Sequence, residues 1–155
     1  MKWLSFRLNY FPGKDALEKK EWIKAEASLE KAVQIFPAHS EAVLSLAQAK
    51  WNLNKKEEAF HLIEPLLEHS SDSTAAYFLM GRFSLEEKQT DKACEYFKKA
   101  VESNPKNIEA WYELARIYLK LNETAKSIEA LDQVTQQEPF FVHTRMKDLM
   151  ILQKS

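Results

Sequence analysis

The segment "NIEAWYELARIYLKLNETAKSIEALDQVTQQEP", Asn107 to Pro139, decides the fold. Its first half puts Trp111, Leu114 and Ala115 on one face at helical spacing, and its second half does the same with Ser127, Leu131 and Val134. The polar "NET" between the halves marks a short turn. The segment therefore reads as two amphipathic helices, about 108–121 and 124–137, closed by Pro139. A pair this short cannot hide its own apolar face and must stack on neighbours of the same kind.

Those neighbours are in the sequence. Counting back from Pro139 in steps of 34 residues reaches Pro105, Ser71 and Pro37. Other columns keep the period. Val43, Tyr77 and Trp111 are large and apolar, as are Leu46, Met80 and Leu114. Ala47, Gly81 and Ala115 follow as small residues, where two helices must approach closely. Later in each unit come small Ala59, Ala93 and Ser127, large Ile63, Phe97 and Leu131, then Leu66, Ala100 and Val134. Ala25, Leu29, Ala32 and Pro37 supply the same register earlier. First helices are expected at 40–53, 74–87 and 108–121, second helices at 56–70, 90–103 and 124–137, with turns at "NKK", "KQT" and "NET". This pattern resembles the tetratricopeptide repeat family, from about Asp15 to Pro139. The resemblance implies an all-α, right-handed superhelical solenoid of antiparallel helix pairs.

Composition agrees. The chain has 155 residues, enough for one domain, and only two glycines, Gly13 and Gly81. Sheets need turn residues far more often, whereas stretches rich in Ala, Leu, Glu, Lys and Gln favour helix. The formal net charge is −1 with both signs interleaved, which excludes the basic face that nucleic-acid binding requires. Cys94 is the only cysteine, so no intramolecular disulfide forms and a reducing compartment is the simple reading. No stretch reaches the roughly 20 apolar residues of a transmembrane helix. Two departures from the repeat pattern stand out. Ser71 replaces a closing proline, and Pro65 lies inside a second helix. Its column elsewhere holds Lys31, Lys99 and Gln133, so Pro65 should face solvent and kink its helix without breaking it.

Candidate chemistry is sparse. His39, His61, His69 and His143 show no metal-ligand spacing, and no glycine-rich loop exists to cradle a phosphate. Cys94 follows small Ala93 on a second helix and reads as a packing residue. The expectation is a non-enzymatic chain with neither cofactor nor metal.

The resemblance directs attention to a groove on the first helices. One stripe carries Leu44, Gln48 and Trp51, then Phe78, Arg82 and Leu85, then Tyr112, Arg116 and Leu119, flanked by Glu41, Glu109 and Glu113. Arg82 and Arg116 offer charged forks for a carboxylate or a carbonyl. Alanine at Trp51 and Tyr112 is expected to weaken partner binding without unfolding the chain. The carboxylate clamp that some family members use on chaperone tails is absent. The places for it hold Leu44, Gln48, Leu79, Glu109 and Glu113, which repel or ignore an acidic tail.

The ends complete the reading. The opening "MKWLSFRLNYFPG" fails as a secretory signal because Ser5, Arg7 and Asn9 interrupt it. Pro12 and Gly13 set it off, and the capping-box signal of Asp15 and Glu18 marks a helix start near 15. Residues 1–13 are expected to form an apolar arm, either a short helix or extended, although Gly13 falls in the small-residue column. Residues 14–39 then make a partial first repeat, residues 40–73, 74–107 and 108–141 full repeats, and 142–155 a capping helix. Trp3, Leu4, Phe6, Leu8 and Phe11 at one end, and Met150, Ile151 and Leu152 at the other, are expected to dock a partner or a second copy. Functionally the chain reads as a scaffold or adaptor taking a protein or peptide in its groove. The alternatives are a small chaperone for an exported substrate and a structural subunit of a larger, membrane-associated complex. The expected location is cytoplasmic, free or peripheral to a membrane complex.

Overall fold

The structure, a computed structural model, describes the backbone of residues 1–69 and 73–152, and the side chains of these apart from His69 and residues 146–152. Among the described residues the chain is helical throughout: α1 (Lys2–Glu18), α2 (Trp22–Ile35), α3 (Ser40–Asn52), α4 (Lys56–His69), α5 (Thr74–Glu86), α6 (Thr90–Ser103), α7 (Ile108–Lys120), α8 (Thr124–Gln137) and α9 (Pro139–Leu152). The fold is an all-α helical repeat, and packing divides it into two compact units, Met1–Ser71 and Asp72–Ser155.

Each first helix turns into its second through the same device. Lys20, Asn54, Lys88 and Asn122, spaced by one period, all adopt the left-handed conformation, with φ of 60°, 62°, 59° and 59°. The next N–H then reaches back over the helix end: Glu21 donates to the Ala16 carbonyl at 2.8 Å, Lys55 to Lys50 at 2.9 Å, Gln89 to Ser84 at 2.8 Å and Glu123 to Tyr118 at 2.8 Å. This is the Schellman closure, which satisfies carbonyls that the helix leaves orphaned. Entry into α3 and α7 is also capped from the side chain. The Ala42 N–H donates to His39 Nδ1 at 3.2 Å and the Ala110 N–H to Asn107 Oδ1 at 3.0 Å.

The small-residue column does what its spacing implies. A Cβ on Gly13 would lie 2.7 Å from Leu29 Cγ, and one on Gly81 would lie 2.6 Å from Phe97 Cε1. Leu29 and Phe97 share the large column, so in these two pairs small meets large where the helices cross.

The opening stretch corrects the sequence reading. It is neither an arm nor a helix separate from residue 15 onward. Instead α1 runs unbroken from Lys2 through Pro12 and Gly13 to Glu18, and with α2 makes a complete first pair. Pro12 is exposed, so the Leu8 carbonyl that loses its donor faces water, and the break that proline imposes in a buried helix does not occur. Phe6, expected at a docking surface, is 1% exposed and stacks on Tyr10 at 5.1 Å. Pro65 likewise lies exposed within continuous α4.

In the first unit Phe6, Tyr10, Ala16, Ala25, Leu29, Ala32, Ala42, Leu46 and Ala49 form the core. Beside it lies a charged cluster. Lys50, 8% exposed at its side chain, donates to Glu26 at 2.9 Å, Glu30 at 2.8 Å and Glu58 at 2.7 Å, and Lys55 reaches Glu26 at 2.7 Å. Burial alone would lower the Lys50 pKa, but its bonds to Glu30, Glu58 and Glu26 hold the ammonium well above the ordinary lysine range. Burial alone would raise Glu26, yet Lys55 and Lys50 keep it below the usual carboxylate value.

In the second unit the core includes Ala93, Phe97, Ala100, Leu114, Ala115 and Ala130, and Cys94 is buried within it. Helix α9 covers α7 and α8: Phe141 and Val142 pack with Tyr112 and Val134, and the Tyr112 hydroxyl donates to the Arg145 carbonyl at 3.3 Å. The expected docking residues Met150, Ile151 and Leu152 lie outside the described side chains, as do Met146 and Leu149. Ser71, the substituted proline position, also lies outside the described residues.

Candidate interaction groove

Helix α5 presents Phe78, Arg82 and Leu85 at spacings of four and three, which puts them on one stripe. Phe78 and Leu85 are half-buried against the core, so each offers part of its apolar surface. Arg116 and Glu113 stand on α7, and Arg145 arrives from α9. Together with Glu86 and Glu109 these residues line a hollow of about 440 Å³, the size of a cleft that takes a few side chains of a ligand.

The charges in the hollow are unequally engaged. Both Glu113 oxygens accept from one terminal nitrogen of Arg116, at 3.0 and 2.9 Å, and the Arg116 Nε is buried without a hydrogen-bond partner. Among the described residues Arg82 and Arg145 make no ion pair. The Arg145 guanidinium instead lies 4.7 Å from the centroid of Phe141 and 5.3 Å from that of Tyr112. Two guanidinium groups thus stand beside an apolar floor with their planar donors unspent.

The structure brings together four of the nine groove residues expected from sequence, namely Phe78, Arg82, Leu85 and Arg116. Two others are not available to a ligand. Trp51 is 4% exposed, with Phe60 edge-on to its ring at 5.5 Å and the Lys56 ammonium 5.3 Å from it. Tyr112 is 1% exposed beneath Phe141. Both lie where another helix closes over the stripe, so alanine there is a core truncation and not a probe of binding. Leu119 is half-buried with the Tyr112 cluster, and Leu44 and Gln48 are half-buried on α3.

Sequence reasoning missed Glu86 and Arg145, and it missed a whole row on α1. Tyr10, Lys14 and Leu17 stand one period before Leu44, Gln48 and Trp51. Gly13 in the small-residue column was the signal for them, overridden by reading Pro12–Gly13 as a break. Lys14 binds Glu41 at 2.5 Å, and burial followed by the neighbouring Glu41 pushes the Tyr10 hydroxyl up to about 12.

A second hollow, of about 480 Å³, has Trp111 and Tyr118 in its floor and Lys126, Glu129 and Gln133 at its edge. Its one cation is already held by Glu123. Among the described residues no group of three or more His, Cys, Asp or Glu side chains could hold a metal ion. No helix among them is long and apolar enough to cross a membrane.

Comparison with known proteins places this geometry. The chain is 32% identical over 93 residues to the protein O-mannosyl-transferase TMTC3 of Mus musculus, a match that takes in 59% of this chain and 10% of that protein. It therefore spans about a tenth of the curated relatives it matches first. Among solved structures, MamA from Desulfovibrio magneticus RS-1 superposes with a TM-score of 0.69 at 18% identity, covering 88% of this chain and 77% of that one. YrrB, described as a TPR protein with an unusual peptide-binding site, superposes with a TM-score of 0.65 at 21% identity, covering 89% and 73%. At these identities the structures speak for the fold alone. The tetratricopeptide repeat model matches residues 16–83 and again 84–150. On that match over most of its length, and with the helix pairs it describes, the chain belongs to the tetratricopeptide repeat family.

Proposed function

We propose that the chain is a non-enzymatic interaction scaffold whose second unit holds a peptide or helix of a partner protein in the hollow of α5, α7 and α9. The observation that carries this reading is the pair Arg82 and Arg145, without carboxylate partners beside the half-buried Phe78 and Leu85. A ligand that sets an aliphatic or aromatic side chain on that floor, with an Asp or Glu one turn away, would satisfy both features. Three arginines and three glutamates line the hollow, so its formal charge is zero and a uniformly acidic tail is disfavoured. The family supports a protein or peptide partner, and the peptide-binding site of YrrB gives a precedent on the same fold. We place the chain in the cytoplasm on its single, buried, unpaired cysteine.

The test is selection of peptides from a random library on the intact chain, followed by titration of the selected peptides into Arg82→Glu/Arg145→Glu. The double variant is expected to bind about tenfold or more weakly, because each lost charge-assisted bond is worth about 1.5–3 kcal/mol, with an unchanged helical circular dichroism spectrum. Equal binding by the two chains would remove the hollow as the site.

A further inference from the structure

The hollow of α7 and α8, about 480 Å³ in volume, is lined by Trp111, Tyr118, Lys126, Glu129, Ala130 and Gln133. The helix pair one period earlier shows what it lacks. There Tyr77, Tyr96 and Lys99 occupy the columns of Trp111, Ala130 and Gln133. The Lys99 ammonium lies 5.7 Å from the centroid of the Tyr77 ring. A cation over an aromatic ring is held by the ring quadrupole, most strongly by that of tryptophan. The pair α7 and α8 has the stronger ring without the cation. Gln133 stands in the lysine column, and among the described residues no ammonium or guanidinium group lies over Trp111. Ala130, 2% exposed, stands where the earlier pair has a half-buried tyrosine.

The ring and the acceptors beside it are held in place. Trp111 is half-buried, and its indole N–H donates to the Pro105 carbonyl at 2.9 Å. Gln137 Nε2 donates to the same carbonyl at 3.1 Å. Glu129 and Gln133 are four residues apart on α8, so they share one face of that helix.

The charges select the occupant. Lys126 is bound by Glu123 and lies 5.6 Å from the centroid of the Tyr118 ring, so its charge is already compensated. Glu129 makes no ion pair among the described residues and is the remaining charge of the lining. The surroundings keep the same sign. Asp132 is exposed on α8. On α6, Glu95, Lys98 and Glu102 fall within about 60° of arc at about 100° per residue. They form the stripe beside Cys94 and Val101, which share the core with Ala110 and Tyr118 of α7. Lys106 follows in the turn to α7. Carboxylates outnumber ammonium groups among these residues, so the field at the hollow favours a cation.

We infer that the hollow of α7 and α8 takes an arginine side chain of a partner protein, its guanidinium over Trp111 and paired with Glu129. The planar fork of five donors reaches the Gln133 amide oxygen as well. A carboxylate would meet Glu129 with no uncompensated cation in the lining to receive it. This hollow shares no lining residue with that of α5, α7 and α9 and takes the opposite charge.

The experiment is a titration of the intact, isotope-labelled chain with the capped peptide Gly-Leu-Arg-Leu-Gly, beside twins carrying citrulline or trimethyllysine in place of arginine. Tryptophan indole signals are followed by NMR, that of Trp111 being assigned by its loss in Trp111→Phe. The Trp111 signal is expected to move saturably with the arginine peptide, and the neutral citrulline twin to bind about tenfold or more weakly. Gln133→Lys gives Trp111 the lysine that the preceding pair already has, and should weaken the arginine peptide by about tenfold or more, as should Glu129→Lys. Gln133→Ala should stay within about threefold of the parent. Circular dichroism checks that helix content is intact in each variant. Arg82→Glu/Arg145→Glu should bind the arginine peptide as the parent does, which separates this result from that of the peptide hollow. A Trp111 signal indifferent to the arginine peptide, an equal response to the citrulline twin, or undiminished binding by Gln133→Lys overturns the inference. So does tighter binding of the trimethyllysine twin, which marks a site for a methylated ammonium group instead.

Discussion

At Lys50 three carboxylates from α2 and α4 converge on one buried ammonium group of α3. Lys50→Met keeps most of the aliphatic stem but leaves Glu26, whose side chain is 11% exposed, with Lys55 in place of two cations. Removing one partner of a buried ion pair costs about 3–5 kcal/mol when the other charge is left uncompensated; with Lys55 still bound to Glu26, urea denaturation should show a loss below that range. Adding Glu26→Gln should recover part of it. The cluster also sets a pH dependence. Because the folded pKa of Glu26 is depressed, the unfolded chain binds more protons between the two values. Its contribution is present above the ordinary glutamate value of about 4.3 and is lost as pH falls through the folded value. Denaturation from pH 7 into this acid range should therefore show a flatter limb in Lys50→Met than in the parent. Gly81 is a second sensitive residue. Alanine there gains about 1 kcal/mol of helix propensity but drives a methyl group into the Phe97 ring. Overpacking of that kind costs about 1–3 kcal/mol, so Gly81→Ala should melt lower than the parent and Gly81→Ala/Phe97→Leu should recover.

Among the elements, the Schellman turns hold residues of unequal quality. Asn54 and Asn122 suit the left-handed conformation, whereas Lys20 and Lys88 do not. Lys20→Gly and Lys88→Gly should each stabilise the chain by up to about 1 kcal/mol, read as a rise in melting temperature, while Asn54→Lys should lower it. The repeated columns made the helix pairs legible because each rule recurs: a small residue opposite a large one, a polar turn between, an apolar stripe at helical spacing. Helix α1 escaped that reading because Pro12–Gly13 is a strong local breaker, and its tolerance depends on Pro12 facing water, which local sequence does not state. Trp51 and Tyr112 were misplaced for a related reason. Helical angle tells which stripe a residue shares, but not where along the stripe Phe60 or Phe141 closes over it.

For the chain as a whole, α9 closes the second unit by covering Tyr112 and Val134. A chain ending at Glu138 should melt about 5 °C lower or more, since each kcal/mol lost moves the midpoint by about 4–8 °C in a unit of this size. The family and the all-α class were readable from the period alone, and the hollow in part, through Phe78, Arg82, Leu85 and Arg116. Arg145 was not, because it belongs to α9 and enters by tertiary packing outside the groove column. The most extensive helix contacts are between α1 and α2, α5 and α6, and α7 and α8, each joined by one short turn. Within each unit the closest partners are therefore neighbours in the chain, and folding has little loop entropy to overcome. A chain being synthesised can close each hairpin, Lys20, Asn54, Lys88 and Asn122 serving as its pivots, before the next has left the ribosome.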